Sequence, residues 1–91
     1  MSTKATIVSE ITSHTKAYSA SLWRIRLTHD PVKRKKYWGE TEGKLVGLWK
    51  QWQADSLSDA QDIEAAFIAR GMKGGTGGDL SRNKTVYVYV F

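Results

Sequence analysis

The chain contains no cysteine. Disulfides and thiolate-held zinc are therefore excluded as supports for the fold, and a disulfide-framed secreted scaffold is excluded with them. No positively charged start leads into an apolar run of signal-peptide length. No apolar stretch approaches the roughly 20 residues that a membrane span needs. These absences predict a soluble, cytoplasmic protein with no membrane partner. Acidic residues are also scarce, with nine Asp and Glu against 14 Lys and Arg, for a net charge of +5. On 91 residues such a charge sets up a positive field that favours polyanions. The length predicts one domain, residues 1–91, with a compact core.

The local patterns predict an α+β fold. Residues 5–12, ATIVSEIT, read as a short strand, and the spacing of Ile7 and Ile11 also fits a helix. Residues 13–20 read as a polar connection. Residues 21–28 alternate cleanly, with Trp23, Ile25 and Leu27 on one face and Arg24 and Arg26 on the other. Like charges two apart on a strand are tolerated on a wet face or beside an anion. Asp30 followed by Pro31 is a helix start, because Asp caps free N–H groups and Pro has none to leave unpaired. That helix spans about 29–38, with Val32 and Tyr37 or Trp38 facing inward, and Gly39 and Gly43 end it. Residues 44–54 fit both a helical stripe and a strand; Val46, Trp49, Trp52 and Gly47 favour a strand over 46–53. As a strand, it points Trp49 and Trp52 to opposite faces.

Residues 58–71 read as a helix with Ser58 and Gln61 as a capping box, Ala60, Ile63 and Phe67 facing the core, and Gly71 as the left-handed stop. Residues 84–91, KTVYVYVF, alternate valine with aromatics, which predicts a strand covered on both faces. The order is β-β-α-β-α-β, a small mixed or antiparallel sheet with two flanking helices.

Five of the eight glycines fall between Gly71 and Gly78. This segment lacks the Lys and Ser/Thr of a P-loop and follows a helix where a P-loop opens one. It reads as a connector whose N–H groups could form a small anion nest. Six of the 14 basic residues lie between Arg24 and Lys36, with Asp30 as the one acid among them. Arg24, Arg26, Lys33, Arg34 and Lys36 are the candidate phosphate contacts, and Tyr37 and Trp38 are candidate base-stacking groups. His14 and His29 lack the partners of a zinc site. Glu64 is an ordinary surface carboxylate or a single ligand for a hard divalent ion.

Taken together, LTHDPVKRKKYW and the later SDAQDIEAAFIARGMKGGTGGD resemble the GIY-YIG nuclease superfamily over residues 20–79. The likeness rests on Thr28, Asp30, Pro31, Arg34, Glu64 and the glycine-rich stretch. It implies a small sheet with flanking helices, Arg34 as a phosphate contact and Glu64 as a metal ligand, these two being the catalytic pair if the chain is a nuclease. Arg24 and Arg26 stand where the family has its second Tyr and Gly, and Trp38 stands where it has a helix His. No first GIY segment occurs in residues 5–12. Tyr18 and Tyr37 are the remaining candidates to activate water.

The expected function is a small basic nucleic-acid-binding domain without catalysis. The alternatives are a GIY-YIG-like nuclease using Mg²⁺ or Mn²⁺, and a protein-interaction module or homodimer suggested by the aromatic C-terminal strand and four tryptophans.

Overall fold

In the computed structural model, residues 3–44, 46–74, 80–81 and 83–91 are described. The protein is α+β, as its patterns predict. Its elements are α1 (Lys4–Thr15), β1 (Ile25–Thr28), α2 (Pro31–Lys36), β2 (Lys50–Gln53), α3 (Leu57–Ala69) and β3 (Tyr87–Val90). A 3₁₀ turn, Ala20–Leu22, precedes β1, and a π-helical turn, Tyr37–Thr41, extends α2.

The first element departs from expectation: residues 5–12 form part of a helix. Thr3 caps it by accepting from the Thr6 N–H. Ile7, Ile11 and Thr15 then fall on one buried stripe, each a helical turn apart. The Thr15 hydroxyl is satisfied within the helix, donating to the Ile11 carbonyl at 2.9 Å. The strand expected over 21–28 is shorter, because residues 20–22 turn before it. Val32 is not inward-facing but 77% exposed, and Pro31 takes the buried place beside Asp30. The α3 cap is Ser56, whose hydroxyl accepts from the Asp59 N–H, two residues before the expected Ser58.

The sheet order is β1-β3-β2, and both pairings are antiparallel. Because side chains alternate along a strand, register assigns each face. Ile25, Leu27, Val88, Val90 and Trp52 share one face. That face meets α1 and α3 through Ile7, Ile11, Ala60, Ile63 and Phe67. The other face carries Arg24, Arg26, Tyr89 and Phe91, and Trp38 and Trp49 cover it. The strand expected over 46–53 is confined to Lys50–Gln53, with a turn at 47–48, and Trp49, just ahead of it, still lies on the opposite face from Trp52.

After α3 the chain returns to the edge of β1. Lys73 forms a parallel bridge with Arg24, donating to the Trp23 carbonyl and accepting from the Ile25 N–H, both at 2.9 Å. This return depends on Gly71, which takes the left-handed stop at φ 109°. Residues 75–79, most of the glycine segment, lie outside the described residues, and the anion nest expected there lies outside them too. Among the described residues, no helix is long and apolar enough to cross a membrane.

Gly71→Ala forces a Cβ into left-handed backbone and should cost about 1–2 kcal/mol of stability. Gly47 has ordinary φ and open space around it, so Gly47→Ala should change stability by less than about 0.5 kcal/mol. Urea unfolding of both variants measures the difference.

Candidate nucleic-acid interface

The candidate site is built on the sheet face opposite α1 and α3. Its base is Tyr89, which is fully buried. Its ring stacks on Trp49 with centroids 4.4 Å apart and 14° between planes. Its hydroxyl accepts a 3.0 Å hydrogen bond from Trp38 Nε1. Phe91 completes the cluster, 5.0 Å from Trp38 and 5.3 Å from Trp49. Trp49 Nε1 is satisfied in turn, donating to Gln51 Oε1 at 2.9 Å. Tyr and Trp can be buried this way because each polar tip has a partner.

The arginines are laid across these rings. Arg24 lies 6.0 Å from the centroid of Phe91, Arg26 lies 5.3 Å from that of Trp38, and Arg34 lies 4.8 Å from that of Tyr37. Tyr37 meets Trp38 edge-on at 5.6 Å. A line therefore runs Arg34, Tyr37, Trp38, Arg26, with Arg24 on the neighbouring Phe91. The like charges on β1 sit over different rings, which accounts for their two-residue spacing. A guanidinium placed over a ring face can still present N–H groups to an anion.

The α2 helix supplies the remaining charge. Asp30 Oδ1 accepts from the Lys33 N–H at 3.0 Å, and Pro31 sits at the first helical position. The short helix then presents exposed Lys33, Lys35 and Lys36 and half-buried Arg34. Among the described residues the ion pairs are Lys4 with Asp62 and Lys50 with Glu10. No carboxylate among them pairs with Arg24, Arg26, Lys33, Arg34 or Lys36. The expected phosphate contacts thus fall in one strand-helix unit that makes no close ion pair among the described residues.

Glu64 is half-buried on α3, which packs against β1. Burial raises its carboxyl above the ordinary value of 4.5, and the Arg26 guanidinium works against that rise. Its Oε2 is buried with no hydrogen-bond partner among the described residues. Glu64 and Arg26 are therefore electrostatic neighbours. Among the described residues there is no group of three or more His, Asp or Glu placed to share a metal ion.

The two histidines hold the framework in place. Ser81 N–H donates to His29 Nε2 at 2.8 Å, so Nδ1 carries the hydrogen and donates to the Thr85 carbonyl, also at 2.8 Å. His14 Nε2 donates to the Leu48 carbonyl at 2.7 Å and its ring lies 5.4 Å from Trp23. Sequence reasoning left both without a role. It also left out Tyr89 and Phe91 as the platform, although their alternation with valine was the available signal.

A raised carboxyl gives a defined pH trend. Below the ordinary value both folded and unfolded chains hold the Glu64 proton. As pH rises between 4.5 and the raised value, the unfolded chain releases it first, so stability falls. Glu64→Gln should be more stable than the wild type at about pH 7, with the gap closing below about pH 4.5. Urea midpoints across this range test it; a gap of opposite sign would mean that attraction to Arg26 outweighs burial. No protein-family model matches the chain, and comparison with curated proteins and with solved structures finds no match either.

Proposed function

We propose that the protein is a small nucleic-acid-binding domain that acts without catalysis. The observation that carries this reading is the basic unit of β1 and α2, whose cations make no close ion pair among the described residues. Arg24, Arg26 and Arg34 are pre-oriented on aromatic rings, and Lys33 and Lys36 stand exposed beside them. Packing a guanidinium against a ring reduces the side-chain freedom that is given up when it grips a phosphate. Lysines on the exposed helix add long-range attraction that salt screens.

The likeness to GIY-YIG nucleases belongs to the same proposal, as a degenerate relative. In its favour, Asp30 and Pro31 open the helix directly after β1, Arg34 lies on that helix, and Glu64 lies on a later one beside Arg26. Against cleavage, Trp38 is buried and bonded to Tyr89, so its position offers no base for water. Tyr37 packs under Arg34, and Tyr18 lies against Trp23. The burial that favours a neutral Glu64 also opposes metal binding, which requires the carboxylate.

Binding should weaken with salt on both DNA and RNA. Lys33→Ala and Lys36→Ala each leave one phosphate charge without its lysine. Each should flatten the slope of log affinity against log salt by about 0.7–0.9. Fluorescence anisotropy at several salt concentrations measures this, and the absence of any salt-dependent binding would sink the proposal.

The nuclease reading makes the opposite demand. It requires cleavage with Mg²⁺ or Mn²⁺ that Glu64→Ala abolishes. The expected outcome is intact DNA from both wild type and variant, read on a gel across a range of metal concentrations.

A further inference from the structure

A second feature lies at the other end of the arginine line. A cleft of about 660 Å³ opens between the turn that follows α1 and the segment that precedes β2. Tyr18 and Leu22 form one wall, Gly47 and Leu48 the other, and Trp23 and Phe91 also line it. Tyr18, Leu22 and Leu48 are 57%, 67% and 52% exposed. Three large apolar side chains left open to water around one concavity are a costly arrangement for a small domain unless something fills it. The volume lies within the roughly 300–1,000 Å³ typical of small-molecule sites.

The cleft is held open by its own framework. The His14 imidazole donates to the Leu48 carbonyl, tying the far wall to α1. The same imidazole packs on Trp23, and Tyr18 packs on Trp23 from 6.3 Å. Phe91 is fixed by backbone hydrogen bonds to Arg24 in both directions, at 2.8 and 3.1 Å. Two cations, Arg24 and Lys44, line the cleft, and no carboxylate among the described residues pairs with either.

An apolar, aromatic-walled concavity flanked by two cations fits a flat neutral ring with an anionic group attached beside it. We infer that this cleft takes an unpaired base of a single-stranded nucleic acid, with Arg24 and Lys44 on the adjoining phosphate. The inference rests on the nucleic-acid reading above and specifies its substrate class. Arg24 belongs to both features, so one strand can run from the β1–α2 unit into the cleft. A base inside a duplex cannot enter, because both its faces are stacked and its pairing edge is occupied. Duplex DNA reaches only the phosphate contacts, while a single strand gains the cleft as well.

The test compares a labelled oligothymidylate with a blunt duplex of the same length, by anisotropy at fixed salt. The single strand should bind about tenfold more tightly, as base–aromatic stacking allows. Tyr18→Ala and Leu48→Ser should each cost the single strand about tenfold and leave the duplex unchanged. Both side chains are mostly exposed, so folding should survive, and circular dichroism checks it. Equal binding of the two probes, or salt-dependent binding that ignores both substitutions, overturns the cleft assignment while the phosphate reading stands. No salt-dependent binding of either probe overturns both. Sedimentation at the assay concentration should give a monomer; a dimer that Leu22→Ser dissociates would assign the cleft to a second copy and overturn the inference.

Discussion

The fold depends on β3 occupying the middle of the sheet. β1 and β2 do not pair with each other, and each is joined to the sheet only through β3. One four-residue strand therefore supplies the partners for both neighbours. With Phe91 just beyond it, it also supplies both layers of the core: Val88 and Val90 face α1 and α3, and Tyr89 and Phe91 face Trp38 and Trp49. Neither layer can close before the two halves of the chain meet. The pairing of Ile25 with Val90 spans most of the sequence, and such long-range contacts carry the loop-closure cost before any reward. Stability in this domain is thus concentrated in contacts that are distant along the chain.

The same strand decides where the charge goes. Because Tyr89 is aromatic and fully buried, its face needs large flat partners, and Trp38 and Trp49 provide them. Trp38 and Phe91 then offer ring faces to the arginines of β1, Arg26 and Arg24 respectively. Had the second face been aliphatic, Arg24 and Arg26 would have projected into water as mobile side chains. The aromatic layer instead gives each of them a ring to pack against. Core packing and the candidate interface are consequently two sides of one arrangement.

Elements with one dominant signal were legible. The alternation KTVYVYVF announced a strand covered on both faces, and Ala60, Ile63 and Phe67 announced the core stripe of α3. The Asp30–Pro31 start was equally plain. The first helix was hidden because its residues are poor helix formers: β-branched Thr6, Ile7, Val8, Ile11 and Thr12 dominate it. Packing of Ile7 and Ile11 against α3 overrides that preference, and packing is a tertiary fact. The same holds for Ser56 and Ser58, where either serine could cap and the buried stripe decides the start. Val32 was misplaced because so short a helix has too few positions to define a face. The site was legible as a cluster of basic residues. Its geometry was not, since each ring beneath Arg24 or Arg26 comes from a different part of the chain.

Glu64 and Arg26 show how the two layers are linked. Glu64 belongs to α3, on the helical side of the sheet, and Arg26 belongs to the aromatic side. Burial pushes Glu64 towards its neutral form, and only the Arg26 charge opposes this among the causes of its shift. A polyanion that draws the Arg26 guanidinium towards its own phosphate competes with Glu64 for that charge. Binding on one face then removes the support for an ionised carboxylate on the other, so occupied protein should hold the Glu64 proton to higher pH than free protein. By linkage the converse would hold with equal strength: protonating Glu64 would remove its attraction for Arg26 and tighten the proposed grip on the anion. If the basic face takes a polyanion as proposed, Glu64 would modulate it from behind β1 through its attraction to Arg26.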